Sequence, residues 1–165
     1  MNKTFHISSS FEVKAAGASK GLRISGYANT VDKDRVGDIV LATAWEKGVK
    51  EYLKNPIILY QHDHDKPIGR AEAVTVDKKG LFLDARISDA AEGQHGVQSL
   101  IKDGVLKSFS IGFRIKDADY DKNTDTFFIK EVELLEVSVV SIPANQNSLF
   151  RVSKEFGSDE EYESF

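Results

Sequence analysis

An alternation of apolar and polar side chains predicts β-strands through the first half of the chain. Residues 22–29 alternate with a period of two, which is typical of a strand with one buried face. The apolar run at residues 57–60 directly follows a proline and predicts a short buried strand. Residues 68–77 and 81–88 flank a connection that ends in Gly80. Together they predict a β-hairpin, because glycine accepts the positive φ of a tight turn.

Further strands are predicted in the second half of the chain. Residues 107–115 alternate, and a polar turn at residues 121–124 is expected to pair them with residues 126–131. Residues 132–142 are apolar on both faces, which is typical of a strand at the centre of a sheet or in a barrel. Pro143 is expected to end this strand.

Helical spacing of apolar residues occurs in two segments. Residues 43–53 show it first, and the helix that they predict is expected to stop before Pro56. Ser88 or Asp89 is expected to cap a second helix that continues through Ile101. The chain therefore carries about seven predicted strands and two predicted helices.

This set of elements predicts an α+β fold in one domain. The sheet is expected to be mostly antiparallel and to form a closed or partly closed β-barrel. The chain has 165 residues, of which 41% are hydrophobic, and only 3 prolines. No long linker interrupts it, so residues 1–156 are assigned to a single domain. Residues 157–165 carry four carboxylates and are expected to form a flexible acidic tail.

Composition narrows the possible functions. The formal net charge is −4 and basic residues form no patch, so nucleic acid is not an expected partner. The chain contains no cysteine, which excludes disulfides, thiolate zinc sites and a cysteine nucleophile. No signal peptide and no run of 18 apolar residues is found, so neither export nor a membrane partner is expected. We expect the protein in the cytoplasm of the cell that makes it.

Two histidines follow the apolar run at residues 57–60. His62 and His64 are two residues apart, so in an extended chain they would face the same side and could bind a metal ion. No third ligand with suitable spacing accompanies them, and no metal or other cofactor is expected. The alternative interpretation is that the two histidines are ordinary polar residues of a loop. A further alternative is a small metal hydrolase built on them.

A strand face with little bulk lies in the segment at residues 107–113. Phe109 belongs to its apolar face, whereas Ser108, Ser110 and Gly112 lie on the other. Because a glycine follows Ser110 on its own side, we expect room there for the backbone of a ligand. A half-exposed strand that shows small polar residues to water would have the same pattern.

Glu136 is a carboxylate in the middle of an apolar strand. Its burial would cost several kcal/mol unless a donor faces it, and an imidazole N–H is one such donor. A serine, a histidine and a buried acid are the parts of a nucleophile, base and orienter relay. An ion pair with Arg70 or Arg114 is the structural alternative.

Three segments follow one another along the chain: NPIILYQHD (55–63) with KPIG (66–69), GVLKSFSIGF (104–113), and LLEVS (134–138) with IPAN (142–145). In this order they resemble the prohead (capsid-maturation) proteases of tailed bacteriophages. This serine protease family has a fold similar to that of the herpesvirus assembly proteases. The resemblance covers about residues 22–152, and three blocks in order are more specific than any one of them.

The resemblance implies a herpesvirus-protease-like fold and a catalytic role for three residues. His62 would be the general base, Ser110 the nucleophile and Glu136 the carboxylate that orients the imidazole. The herpesvirus enzymes use a second histidine in the third role. The turn after Pro143 has backbone amides freed from strand pairing, so the amides of Ala144 or Asn145 are expected to form the oxyanion hole.

The implied function is that of a serine endopeptidase of phage capsid maturation. Such an enzyme would cleave scaffold proteins, capsid-protein extensions and itself inside the assembling prohead, in the host cytoplasm. A non-catalytic virion protein is the alternative, because the fold is also similar to that of phage tail-tube proteins. The herpesvirus enzymes act as dimers, so a homo-oligomer is compatible with the resemblance, although no residue pattern marks an interface.

Overall fold

The computed structural model describes residues 3–6, 21–30, 38–93 and 95–153. The predicted acidic tail at residues 157–165 lies outside them, as does the predicted domain end at residue 156. Within the described ranges, nine strands and two α-helices form the structure. No helix in these ranges has the length and apolar character needed to cross a membrane.

The strands and helices have the following bounds. The strands are β1 (Lys3–His6), β2 (Leu22–Thr30), β3 (Asp38–Val40), β4 (Ile57–Tyr60), β5 (Asp63–Val76), β6 (Gly80–Ile87), β7 (Ser108–Asp121), β8 (Thr126–Val140) and β9 (Phe150–Ser153). The helices are α1 (Trp45–Tyr52) and α2 (Val97–Lys102), each preceded by a 3₁₀ segment, at Ala42–Ala44 and Asp89–Gly93.

All nine strands belong to one mixed sheet. Its main path runs β3-β8-β4-β5-β6-β2-β9, while β1 pairs with β5 and β7 pairs with β8. Most pairs are antiparallel, as predicted, and β8 makes the two parallel pairs of the described sheet, with β3 and β4. The parallel β4–β8 pair brings the strand before the two histidines beside the strand of the buried acid.

The sheet is not closed, so the predicted closed barrel is not confirmed. Its main path ends at β3 and β9. Between β9 and β7 the contact is local: Ser108 forms a single bridge with Leu149, the Phe109 amide donates to Ser148 O at 2.8 Å, and the Phe150 amide donates to Lys107 O at 3.0 Å. We call this contact the seam.

The observed elements differ from the predicted ones in three places. Residues 126–140 form one strand where two were predicted, and the short strands β3 and β9 were not predicted. The second helix does not run from Asp89 to Ile101, because the left-handed residues His95 and Gly96 separate its 3₁₀ start from α2. The β5–β6 hairpin is confirmed, and Gly80 has the expected positive φ.

Helix α1 packs against β8. Trp45 and Val49 are buried in the core, and the Trp45 ring meets the Phe113 ring edge-on at 6.0 Å between centroids. Gly48 faces the sheet so closely that a Cβ there would lie 2.8 Å from Val132 O. The absent side chain therefore sets the distance between the helix and β8.

Candidate active site

His62 lies in a two-residue turn between β4 and β5. Tyr60 and Asp63 are paired across this turn, and Gln61 and His62 have φ values of 55° and 59°. Positive φ at both central positions is the geometry of a type I′ hairpin turn, which normally takes asparagine or glycine. Two larger side chains in this conformation are strained, and such strain persists only where surrounding contacts enforce it.

The contacts that enforce the turn come from β8 and from Ser141, which directly follows this strand. The backbone amide of Gln61 donates to Val139 O at 3.0 Å. The Gln61 side chain donates to Ser141 Oγ at 3.2 Å and accepts from the Ser141 amide at 3.1 Å. The His62 amide donates to Ser138 Oγ at 3.0 Å. Both strained residues are therefore fixed to one neighbouring strand.

Glu136 is buried in β8, with 5% of its surface exposed, and it faces this turn. Its Oε1 lies 2.5 Å from His62 Nδ1, and its Oε2 accepts a hydrogen bond from Ser138 Oγ at 2.7 Å. Among the described residues neither Arg70 nor Arg114 forms an ion pair with Glu136, and Arg114 contacts Glu133 at 3.4 Å instead. The buried acid thus has the imidazole partner that the sequence predicted.

The Glu136 carboxylate changes the electrostatics of its neighbours. Its hydrogen bond, together with its negative charge, raises the pKa of His62, and the opposing effect of burial is smaller. Burial and the same charge raise the pKa of Tyr52, whose hydroxyl donates to Ile57 O at 2.9 Å. Because Nδ1 faces the carboxylate, Nε2 is the imidazole nitrogen left for a reacting group. The His62 side chain is 42% exposed, so that nitrogen is accessible.

Ser110 lies on the strand next to Glu136. In the antiparallel β7–β8 pair, Ser110 is opposite Ser138 and Gly112 is opposite Glu136. Opposed residues project to the same face of a sheet, so Ser110 shares a face with the two β8 residues that contact His62. No hydrogen bond joins Ser110 Oγ to His62 within the described residues. Catalytic hydrogen bonds are often long in a substrate-free enzyme.

Gly112 has a different role from the one that we inferred from the sequence. A Cβ at this position would lie 2.5 Å from Glu136 Oε1 and 3.1 Å from Glu136 Cδ. The space over Gly112 is therefore filled by the carboxylate and is not open for a ligand backbone. The interpretation that the glycine makes room for a ligand was wrong. It makes room for the acid.

Ala144 and Asn145 lie in the loop after β8. Ala144 is exposed, whereas Asn145 is buried. The Asn145 side chain donates to Thr30 O at 3.1 Å and accepts from the Thr30 hydroxyl at 3.2 Å. Its Oδ1 also accepts from the Asn147 amide at 2.9 Å. These bonds tie the loop to the end of β2, and an oxyanion-hole role for the two backbone amides stays a prediction.

His64 does not share a site with His62. It is exposed on β5, and the left-handed backbone at His62 breaks the alternation that would put both imidazoles on one face. In the part of the chain that the structure describes, no group of three or more histidine, aspartate or glutamate side chains is placed to bind a metal ion.

Gln61 and Ser138 contact the site but were not predicted from the sequence. A signal existed for Ser138, because it follows Glu136 by two residues on a strand and so must share its face. For Gln61 there was none, since glutamine has no preference for the left-handed conformation that it adopts here.

Comparison with known proteins matches the chain to a protease family and to two phage proteins. The profile of the family described as caudovirus prohead serine protease (Peptidase_S78) matches residues 9–161. The prohead protease of Escherichia phage T5 is 48% identical over 135 residues, which cover 81% of this chain and 63% of that protein. The capsid polyprotein of Pseudomonas phage PAJU2 is 33% identical over 149 residues, which cover 87% of this chain and 21% of that protein. The chain thus spans less than two thirds of both relatives.

Two solved structures share the fold. The capsid assembly protease of bacteriophage T4 aligns with a TM-score of 0.59 and 18% identity, covering 87% of this chain and 97% of that one. KSHV protease in complex with a hexapeptide phosphonate inhibitor aligns with a TM-score of 0.54 and 13% identity, covering 87% of this chain and 68% of that one. The fold is therefore herpesvirus-protease-like: a mixed sheet with two helices.

Proposed function

The chain belongs to the caudovirus prohead serine protease family, and on that premise we propose that it is a serine endopeptidase of phage capsid maturation. The observation that carries the proposal is the contact between His62 Nδ1 and Glu136 Oε1 at 2.5 Å. This pair lies on the sheet face to which Ser110 projects from the adjacent strand. A base oriented by a buried acid beside a serine is the arrangement that activates a hydroxyl nucleophile.

The proposed mechanism gives each of the three residues one role: Ser110 is the nucleophile, His62 carries the proton, and Glu136 orients the imidazole. Ser110 Oγ attacks the peptide carbonyl while His62 Nε2 accepts the hydroxyl proton, and the imidazolium then returns that proton to the leaving amine. Glu136 fixes the tautomer and stabilises the imidazolium. His62 then takes a proton from the water that attacks the acyl-enzyme, and it returns this proton to Ser110 Oγ as the ester bond breaks. The backbone amides of Ala144 or Asn145 would stabilise the oxyanion, and such a donor is worth about 3 kcal/mol.

The proposed substrates are capsid and scaffold proteins, and the chain itself. Support comes from the names of two relatives, a prohead protease and a capsid polyprotein. In the second relative, the matching region is a fifth of a longer chain that is named for the capsid. We place the reaction inside the assembling prohead, in the host cytoplasm, and a homo-oligomer is compatible with this proposal.

A serine-directed fluorophosphonate tests the proposal without knowledge of the cleavage site. We expect one adduct, mapped to Ser110 by mass spectrometry. Ser110→Ala and His62→Ala should abolish labelling, whereas Ser108→Ala and His64→Ala should keep most of it. Labelling of Ser108, or labelling that survives His62→Ala, would contradict the assigned roles. A chain that is never labelled would support the virion structural alternative.

A further inference from the structure

Ser138 contacts both ends of the His62–Glu136 pair with one hydroxyl group. Its side chain is 0% exposed. Ser138 Oγ donates to Glu136 Oε2 at 2.7 Å and accepts from the His62 backbone amide at 3.0 Å. The first contact orients the acid, and the second holds the backbone of the base.

We propose that Ser138 is a positioning residue of the active site, an inference that rests on the function proposed above. A backbone N–H can only donate, so Ser138 Oγ must be the acceptor toward His62. Its single hydrogen is then left for Glu136. The direction of both bonds is therefore fixed, and the hydroxyl keeps Glu136 Oε2 occupied while Oε1 faces the imidazole.

The bond to the His62 amide matters because the backbone of His62 is strained. His62 has a φ of 59°, a left-handed conformation that is energetically unfavourable for a residue with a side chain. The backbone of His62 itself has this one hydrogen bond to β8, whereas the other contacts of the turn with β8 and Ser141 are made by Gln61 and by the His62 imidazole. A displacement of roughly 1 Å at a catalytic group can cost about 100-fold in rate.

A purely structural role predicts something different. The β7–β8 ladder and the parallel β4–β8 pair are formed by backbone groups, which Ser138→Ala retains. A structural hydroxyl would change the stability of the fold and leave the titration of His62 as it is. A positioning hydroxyl would change the titration of His62 and the reactivity of Ser110.

The experiment compares Ser138→Ala with a matched control, Thr126→Val, by fluorophosphonate labelling of the full chain across pH. Thr126 is also buried, at 3% exposure, and its hydroxyl donates to Thr124 O at the other end of β8. We expect Ser138→Ala to slow labelling of Ser110 by about 10- to 100-fold at the pH plateau. The labelling rate should also begin to rise at a lower pH, because this rise follows the pKa of His62 and the Glu136 contact raises that pKa. Thr126→Val should change neither.

An NMR titration of the His62 imidazole separates this inference from the proposed function, because it needs no activity. We expect the downfield Nδ1 proton of the short His62–Glu136 contact in the unmodified chain and its loss in Ser138→Ala. Ser138→Cys, which keeps a donor group but a weak one on a larger atom, should give the same loss. An unchanged imidazole signal in both variants would overturn the positioning role even if Ser110 is labelled. A chain that shows the signal change but no labelling would instead overturn the function.

Discussion

The carboxylate of Glu136 fills the space that a side chain at position 112 would need. A Cβ at position 112 would lie 2.5 Å from Glu136 Oε1, which is closer than a Cβ and a non-bonded oxygen approach. Gly112→Ala should therefore push the carboxylate away from His62 and slow labelling of Ser110 by at least about 10-fold. The rate of labelling by a fluorophosphonate measures this effect.

The control for this substitution is Gly93→Ala. A Cβ at Gly93 would meet nothing within 4 Å. This variant should label at the rate of the unmodified chain. If Gly112→Ala also labels at that rate, Glu136 has either moved without consequence or is not needed, and its orienting role would have to be abandoned.

The His62–Glu136 contact also predicts how stability depends on pH. Because the folded state raises the pKa of His62, the pair stabilises the fold fully below the unfolded value of about 6.5. That contribution is lost as pH rises through the higher pKa of the folded state. In Glu136→Gln the pKa of His62 should fall. We would measure the free energy of unfolding by urea between about pH 5.5 and 9. The difference between the unmodified chain and Glu136→Gln should be largest at the acidic end of this range. A difference that is constant across this range would contradict the assignment.

Gly48 tests how helix α1 is seated on β8. Alanine favours a helix over glycine by about 1 kcal/mol, so propensity alone predicts that Gly48→Ala stabilises the protein. A Cβ there would however lie 2.8 Å from Val132 O, a backbone atom that cannot move away alone. Overpacking of this kind costs about 1–3 kcal/mol, so we expect a net loss of stability.

Urea unfolding measures this loss, with Lys50→Ala as the control. Lys50 lies on the exposed side of the same helix, and its substitution should change the free energy of unfolding by less than about 0.5 kcal/mol. An increase in stability for Gly48→Ala would mean that the helix and β8 separate more easily than their contact indicates.

The elements that the sequence predicted well are those with a local signal. Strands β2, β4 and β6 follow an alternation or an apolar run, and the β5–β6 hairpin follows its glycine. Strands β3 and β9 have three and four residues, which is too short for an alternation to show. The break before α2 depends on a left-handed His95, for which histidine gives little warning.

In the candidate active site, too, some features could be predicted from a local sequence pattern and others could not. His62, Ser110 and Glu136 each stood out by residue type and by strand position, and the structure brings His62 and Glu136 into contact. The two-residue turn that carries His62 was not predicted, because both of its residues adopt a conformation that their types disfavour. Long-range contacts with β8 enforce that conformation, and a local pattern does not contain them.

The open sheet has its weakest described contact at the seam between β7 and β9. A single bridge, two backbone hydrogen bonds at the amides of Phe109 and Phe150, and the contact between these two rings, 4.8 Å between centroids, hold it. Strand β6, in contrast, has a partner strand along each side. Local opening has a lower free energy where fewer contacts must break, so the seam should open before the rest of the sheet.

Amide hydrogen exchange followed by NMR tests this order. We expect the amides of Phe109 and Phe150 to exchange faster than those of Leu83 and Ala85 in β6. Equal protection at all four positions would mean that the sheet opens only as a whole, and that the gap in the strand order has no energetic consequence.

The order in which the ribosome makes the strands determines when His62, Ser110 and Glu136 can come together. Strands β3, β4 and β7 all pair with β8, which is synthesised after all three. Glu136 follows His62 by 74 residues. Synthesis proceeds at about 5–20 residues per second, so the imidazole waits roughly 4 to 15 s for its carboxylate. A ribosome-bound chain that already displays both the histidine and the serine still lacks Glu136 and Ser138. The proposed proteolytic activity is therefore delayed by translation itself until β8 has emerged.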